Sequence, residues 1–487
     1  MNKQLTQVSI AFGGIFLLLF LNLTNLQVFD ASGLNNRADN KRSLYQQYDV
    51  DRGAIIISGS PVAYSVKTTG RFKYERRYVS SAFTHPVGYL SAIYGVSGVE
   101  QSENALLSGD ADSLTVDRIR QLLDGGAKRG GSTSLTLDAE AQSLAYQLLN
   151  GRRGAVVAIE PKTGRVLVSA SSPSFDSNLL STTNAKTMQS AWRKLLKDPN
   201  QPMLNRAYAQ TWAPGSVFKL ITAAAALESG KYTLTTKIPA PVTYKLPGST
   251  KEISNWQKTA CSKSGEVTLS VALEVSCNTA FARVGVDIGI NQIVKTATAF
   301  GFGTNFNLPG YSIASVVPNK VDAAQTALVA IGQFDVQSSA LQMALVTAAI
   351  GNEGVVMTPQ LIDEQIGPNL KVIKNLDPKV FNRAIKPETA NALKEMMLNV
   401  VNQGTASNAR IKGIAVAGKT GTAETLPGSA PHAWFVALAP AENPRVAIAV
   451  IVENGGYAKG KYAGEVSGNA IAAPIARQLL VDLLSLG

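Results

Sequence analysis

The sequence predicts an α/β (α+β) sandwich, in which helices flank a central antiparallel sheet. Three observations carry that expectation. Gly154 to Glu160 and Arg165 to Ala170 are apolar, strand-like runs joined by Pro161-Lys162-Thr163-Gly164, a hairpin signature. A long, mainly helical middle runs from about residue 185 to 405. Strand-like runs return at Gly413 to Lys419, Ala433 to Ala439 and Arg445 to Val452, with links too short for a parallel crossover, before a closing helix from Asn469 to Leu486.

Composition bounds the rest. With 487 residues and 45% hydrophobic content, the chain can fill the cores of two or three domains. Only 16% of residues are charged, which argues against long disordered tails. The net charge is +12 and the pI about 9.5. No dense Lys/Arg stripe with interleaved aromatics accompanies that charge, since Arg71 to Arg77 and Lys41-Arg42 are short runs, so nucleic acid is not expected. An anionic membrane or wall polymer suits the sign as well. The two histidines, His85 and His432, read as ordinary surface residues. Without a Cys/His cluster or a His-Glu-x-x-His run, neither a metal nor a cofactor is expected, and a Ser-His-Asp triad has few candidates.

Taken in order, the chain opens with one candidate span, Val8 to Phe29. Its apolar heart, Ile10 to Leu21, is short against the ~20 residues that crossing requires, and Asn22, Thr24, Asn25 and Gln27 dilute the remainder. A cleaved signal peptide is one reading; an uncleaved anchor over residues 1–29 is preferred, because no small-x-small cleavage site follows. Flanking charge does not orient it: Lys3 stands alone on one side, with Arg37, Lys41 and Arg42 on the other. Residues 30–139 mix short strands, Ala54 to Ile57 and Pro61 to Lys67, with a small helix, Val116 to Leu123, and approach their end at a flexible Gly125 to Gly131 boundary. They carry no repeat and no chemistry, which suits a pedestal or partner-binding domain. Residues 140–487 form the larger unit, entered through an amphipathic helix from Asp138 to Asn150 that Gly151 closes.

Chemistry concentrates in three stretches of that unit. Pro214-Gly215 followed by Val217 to Glu228 reads as a helix start, with Gly230 as its stop. Ser216 then sits in the first turn, where free N–H groups and the helix dipole favour developing negative charge, and Lys219 projects from the same face. A lysine partly stripped of water can take the proton that makes a serine nucleophilic. Ser276-Cys277-Asn278 places a hydroxyl able to relay a proton beside an amide able to bond both a lysine and a substrate amide. In Lys419-Thr420-Gly421-Thr422-Ala423, the lysine supplies charge, the threonines donate hydroxyl bonds and Gly421 admits a substrate to the backbone, a set suited to a peptide carboxylate. Gly413 to Thr420 also fits the P-loop pattern Gly-x4-Gly-Lys-Thr, but its intervening residues are apolar and strand-like and Gly421 to Pro427 is a poor helix. An edge strand facing a cleft is expected instead.

In the order Ser216-x-x-Lys219, Ser276-x-Asn278, Lys419-Thr420-Gly421, the chain resembles the penicillin-recognising acyl-serine transferases. Ser172 to Asp176, Leu204 to Ala207, Ile331-Gly332-Gln333, Leu341 to Ala344 and Trp434 to Pro440 are similar to the class B penicillin-binding proteins in particular. Gly98-Val99-Glu100 and Asp51 to Ile55 echo that family's pedestal, so the likeness spans nearly the whole chain, and the compact length is most like the actinobacterial branch. Two departures stand out: Thr211-Trp212-Ala213 replaces an aromatic-Pro lead, and Ile57 to Ser60 stands where the family often has Asp-Arg-Asn-Gly. No room exists for a glycosyltransferase domain.

The resemblance implies the transpeptidase and serine β-lactamase-like sandwich, and a D,D-transpeptidase acting on peptidoglycan stem peptides during growth or division. It implies that Ser216 attacks the D-Ala-D-Ala carbonyl with Lys219 as base. Ser276 would relay the proton and Asn278 orient the donor amide. Backbone N–H groups of Ser216 and Thr422 would form the oxyanion hole, while Lys419, Thr420 and Thr422 hold the carboxylate. β-Lactams would acylate Ser216. The implied setting is the cell membrane, crossed once, with the catalytic domain outside, beside a lipid-linked-precursor glycan polymerase and other division or elongation proteins. Outside, Cys261 and Cys277 can either pair, pinning the Ser276–Asn278 segment, or remain two buried thiols. A β-lactamase, a β-lactam-sensing receptor, a D,D-carboxypeptidase and a non-catalytic division scaffold are the competing readings.

Overall fold

Short runs of β-branched and apolar residues assemble into two main sheets, a six-stranded one that takes four of its strands from before residue 139 and a five-stranded one built wholly from residues after it. The computed structural model describes residues 3–30, 45, 47–70, 72–123, 127–375, 377–425, 429–457 and 466–485. Arg37, Lys41, Arg42, Arg71, Gly125, Gly126, Pro427 and Leu486 lie outside them.

Helix α1, Lys3–Thr24, runs on through a π-helical turn at Asn25–Phe29. Within Lys3–Gln27 the most apolar 18-residue window has a mean hydropathy of 1.8 and none of it is buried, so the helix is long and apolar enough to cross a membrane.

Next come β1, Ile55–Ile57, and β2, Ser60–Lys67, an antiparallel pair. Ser58 and Gly59 join them with φ of 48° and 75°, the left-handed pair that a two-residue hairpin turn requires, so the departure at Ile57 to Ser60 still closes a hairpin. Strand β3, Tyr74–Tyr78, adds to β2, and β4, Ser132–Leu135, lies parallel to β1. Glu100 sits at the centre of this unit, fully buried between Arg52 (2.7 Å) and Arg76 (2.6 Å).

Helix α2, Ala139–Leu149, follows; Asp138 caps it by accepting from the N–H of Ala141, and Asn150 and Gly151 leave it with positive φ. The expected hairpin is β5, Gly154–Ile159, and β6, Val166–Ser172. Helix α3, Lys219–Glu228, is alanine-rich and buried on all sides, as is α4, Ala340–Gly351.

The middle is less helical than its sequence suggests. Lys237–Pro239 pairs with Glu266–Thr268, Thr243–Lys245 with Glu252–Ser254, and Val355–Met357 with Val380–Arg383. These strands are three or four residues long, too short for alternation to reveal them. Strands β7, Ile362–Ile366, and β8, Val372–Asn375, cross back to complete the pedestal sheet in the order β8-β7-β4-β1-β2-β3.

Three strands close the larger sheet: β9, Ala417–Ala423, β10, His432–Ala439, and β11, Val446–Val452. Its order is β9-β10-β11-β5-β6, antiparallel throughout, with β9 at the edge. Strand β9 starts four residues later than Gly413 because Ile411 and Ile414 first close a small bridge. Helix α5, Ala473–Ser485, packs on this sheet after a π-helical turn at Gly468–Ala472.

Candidate active site

Glycines bring the three motifs together. Gly215 has φ of 54°, and a Cβ there would lie 2.7 Å from the Thr422 carbonyl oxygen, so the turn before Ser216 can lie against β9. The Gly215 N–H donates to the Gly332 carbonyl at 2.9 Å. Gly215–Phe218 form a 3-10 turn that feeds into α3, which places Ser216 half-buried at the helix mouth and Lys219 fully buried one turn on.

Lys219 Nζ donates to the Ser276 carbonyl (2.7 Å), Ser276 Oγ (3.3 Å) and Asn278 Oδ1 (2.7 Å). From the edge strand, Lys419 Nζ donates to Ser276 Oγ (2.8 Å) and the Thr420 carbonyl (3.1 Å). Ser276 thus sits between two lysines, in left-handed backbone at φ 58°. Burial, and then the charge of Lys419, hold Lys219 well below the ordinary lysine value. Burial lowers Lys419 to about 7. Two ammonium groups sharing one hydroxyl repel each other, so Lys219 gives up its proton more readily than an ordinary lysine and can act as base. Ser216 Oγ has no hydrogen-bond partner among the described residues and faces the cleft.

The Ser276–Asn278 segment is tethered from the other side. Asn278 Nδ2 donates to the Ser254 carbonyl (3.0 Å), and Asn255 Oδ1 accepts from the Thr279 N–H (3.1 Å). Cys261 and Cys277 are joined by a disulfide with Cα atoms 5.9 Å apart, which resolves the alternatives left open above.

A cleft of 920 Å³ opens over Ser216, Ser276, Asn278, Thr420 and Thr422. Thr420 is 8% exposed, and its hydroxyl lies 2.8 Å from that of Thr405. Other members of the third motif sit differently from expectation. Gly421 serves packing rather than substrate approach: a Cβ there would lie 2.9 Å from both Val217 Cγ1 and Trp434 Cβ. Ala423 is fully buried and pairs with His432, away from the cleft lining. Lys419 is fully buried and spends its donors on Ser276 and its own strand. The Gly418-Lys419-Thr420 end of the P-loop pattern lies inside β9, which pairs with β10 along its length instead of opening as a loop into a helix.

The histidines are corrected too. His85 packs edge-on against Phe175, 6.1 Å between ring centres, and His432 Nδ1 accepts from the Asn454 N–H at 3.0 Å. Burial lowers each to about 4. Thr405, Ser254 and Asn255 escaped the sequence reading, because nothing in a Gly-Thr or Ser-Asn pair announces contact with a motif far along the chain. Among the described residues no cluster of three His, Cys, Asp or Glu could hold a metal.

Comparisons with known proteins agree with this arrangement. Residues 154–479 match the penicillin binding protein transpeptidase domain family, and residues 52–133 match the penicillin binding protein A dimerisation domain. The peptidoglycan D,D-transpeptidase PbpA of Mycolicibacterium smegmatis is 39% identical over 100% of both chains. The ceftriaxone acyl-enzyme complex of penicillin-binding protein A from Mycobacterium tuberculosis is 35% identical, covering 90% of this chain and 99% of its own with a TM-score of 0.85. The penicillin G acyl-enzyme complex of the same protein is 36% identical, covering 89% and 99%, with a TM-score of 0.84. With both its parts matched and the three motifs converging on one cleft, the chain belongs to the class B penicillin-binding transpeptidases.

Proposed function

We infer that this chain is a peptidoglycan D,D-transpeptidase that cross-links stem peptides through an acyl-enzyme and is acylated by β-lactams. The observation that carries the reading is the buried pair Lys219 and Lys419 converging on Ser276, which lines the same cleft as Ser216. Ser216 Oγ attacks the carbonyl of the penultimate D-Ala while neutral Lys219 accepts its proton. Backbone N–H groups of Ser216 and Thr422 stabilise the oxyanion, each worth about 3 kcal/mol in the transition state. Ser276 passes the proton to the departing D-Ala amine, and Asn278 holds Lys219 and the donor amide. Thr420 and Thr422 take the donor carboxylate, with Lys419 adding charge behind them. An amine from a neighbouring stem peptide then attacks the ester and releases Ser216.

We further propose that residues 1–29 anchor the chain in the cytoplasmic membrane, 30–139 form the pedestal and 140–487 the catalytic unit outside. The disulfide supports that side, since such bonds persist in oxidising compartments. A wall-glycan polymerase using lipid-linked precursors fits as the pedestal's partner, because the matched families, over residues 52–133 and 154–479, are a dimerisation domain and a transpeptidase domain.

Labelling with a fluorescent penicillin tests the reading. Wild type should give a long-lived adduct that Ser216→Ala abolishes. Rapid turnover of the adduct would indicate a lactamase, and labelling that survives the substitution would remove Ser216 from its role.

A further inference from the structure

Apart from the Ser216 cleft, a second hollow of 490 Å³ opens between the turn after α3, the Lys237–Pro239 strand and the helix Asn278–Ile288. The two share no lining residue. Its volume falls within the range of about 300–1,000 Å³ that small-molecule sites occupy.

Arg283 is the residue that its neighbours leave unexplained. Its guanidinium lies over the Tyr244 ring, 4.6 Å from the centre. It makes no hydrogen bond or ion pair among the described residues, although its Nε is buried. A buried donor without an acceptor is uncommon and costly in a folded protein. The nearest acid along the same helix, Asp287, is already engaged. Tyr232 donates to its Oδ2 at 3.1 Å, and Lys231 Nζ lies 3.6 Å from that oxygen while donating to the Asp287 carbonyl at 2.9 Å. Arg283 is therefore held by a ring and not by an acid.

Lys237, exposed on its short strand, lines the same hollow and also has no ion pair among the described residues. Three cations and one carboxylate thus line the hollow, which leaves two positive charges uncompensated.

We propose that this hollow is a second binding site, for an oxyanion borne on a sugar ring. The planar fork of Arg283 matches the paired oxygens of a phosphate or a carboxylate, and Lys237 adds charge beside it. The rings of Tyr232 and Tyr244 offer broad apolar surface to the sugar body. A phosphate monoester, with a charge of about −1.5 to −2 at pH 7, balances the hollow better than one carboxylate does. The choice of a sugar rests on the wall-synthesis reading; the oxyanion site itself does not.

Saturation-transfer NMR titrations of the detergent-solubilised full chain test the proposal. The probes are N-acetylglucosamine 1-phosphate, N-acetylmuramic acid and neutral N-acetylglucosamine. The phosphate sugar should bind tightest and the neutral sugar about tenfold more weakly or worse. Tightest binding by N-acetylmuramic acid would also support the site and assign its ligand to a glycan carboxylate. Arg283→Met should weaken both charged sugars about tenfold, Arg283→Lys should restore only part of the loss, and Lys237→Gln should weaken them by a smaller factor. Each variant should still be acylated by penicillin G within about twofold of the wild-type rate, as expected for separate sites, which shows that it is folded. Lys237→Gln, an exposed substitution, keeps the test open if the Arg283 variants fail that control. Equal binding of the neutral sugar, no saturable binding of either charged sugar, or binding unchanged by the substitutions overturns the site. Displacement of the sugar by penicillin G does so too. None of these outcomes touches Ser216, whose own failure would appear as loss of the penicillin adduct in the wild type.

Discussion

At the scale of single residues, the site is a problem of two lysines that cannot both keep a proton. Lys219 is lowered by burial and by Lys419, and Lys419 is lowered by burial to about 7. Because the pair titrates as a unit, acylation should follow macroscopic steps rather than one residue's pKa. In acid both ammonium groups are present and Lys219 cannot act as base. Acylation should therefore rise with pH as Lys219 gives up its proton and level off once it has done so. Lys419→Met removes the repulsion, so Lys219 should hold its proton to higher pH and the rising limb should shift alkaline in a stopped-flow profile; an unmoved limb would refute the coupling. The folding linkage has the same sign. The unfolded chain binds more protons between pH 7 and the ordinary lysine value, so these groups lower stability most in acid and less as pH rises. Thr405 gives a second test. If Thr420 donates to the donor carboxylate as proposed, its oxygen is left to accept from the Thr405 hydroxyl 2.8 Å away. Thr405→Val should cost about 1 kcal/mol, roughly fivefold in acylation rate, and Thr405→Ser should restore most of it. The motif residues could be read from the sequence because each is a chemical type that the reaction needs. Thr405 could not, since its role comes entirely from sitting 2.8 Å from Thr420 across two elements.

At the scale of elements, what matters is how segments remote in sequence are held in register. The edge strand β9 carries Lys419 to Ser276, and α3 carries Lys219 to the same hydroxyl. The loop after Ser254 holds Asn278 through one hydrogen bond and one disulfide. Substituting both Cys261 and Cys277 with Ser should destabilise the protein by about 3 kcal/mol through loop-closure entropy. It should also slow acylation, because Ser276 sits in left-handed backbone one residue from the bridge. Thermal denaturation with and without reductant, alongside alkylation, reads the first effect; full alkylation without reductant would disprove the bridge. The sheet itself was legible: apolar strands joined by short links predicted antiparallel order, and β9 lies at the edge as a cleft-facing strand should. The three small ladders between residues 237 and 383 were not, because strands of three or four residues carry no period. Gly421 was misread for a related reason. A glycine in a motif marks a close approach without saying what approaches, and here it is Val217 and Trp434.

At the scale of the whole molecule, the pedestal and the catalytic unit are not strung independently along the chain. Strands β7 and β8, from deep in the catalytic sequence, finish the pedestal sheet beside β4. Arg165, just before β6, forks onto Asp363 in β7 with bonds of 2.5 and 2.9 Å. Damage to the pedestal core should therefore reach the cleft. The place to strike is Glu100. Burial alone would raise its carboxyl, but Arg76 and Arg52 together hold it below the ordinary value, and Tyr78 donates to it at 3.2 Å. Removing that charge leaves two guanidinium groups buried side by side, a change that costs about 3–5 kcal/mol when one partner of a buried pair is lost. Glu100→Ala should lower the unfolding temperature accordingly. Because the folded pKa is depressed, wild-type stability from this cluster persists above the ordinary carboxylate range and is lost as pH falls through the lowered value, whereas the variant should lack that acid-side decline. Of the four tryptophans, Trp212, Trp256 and Trp434 stand at or near the cleft, whereas Trp192 stacks on Tyr94 of the pedestal with ring centres 4.1 Å apart. If the shared sheet couples the units, the tryptophan fluorescence transition of Glu100→Ala should move down together with the global one. A tryptophan transition that stays at its wild-type temperature while the pedestal melts early would mean that β7 and β8 transmit nothing.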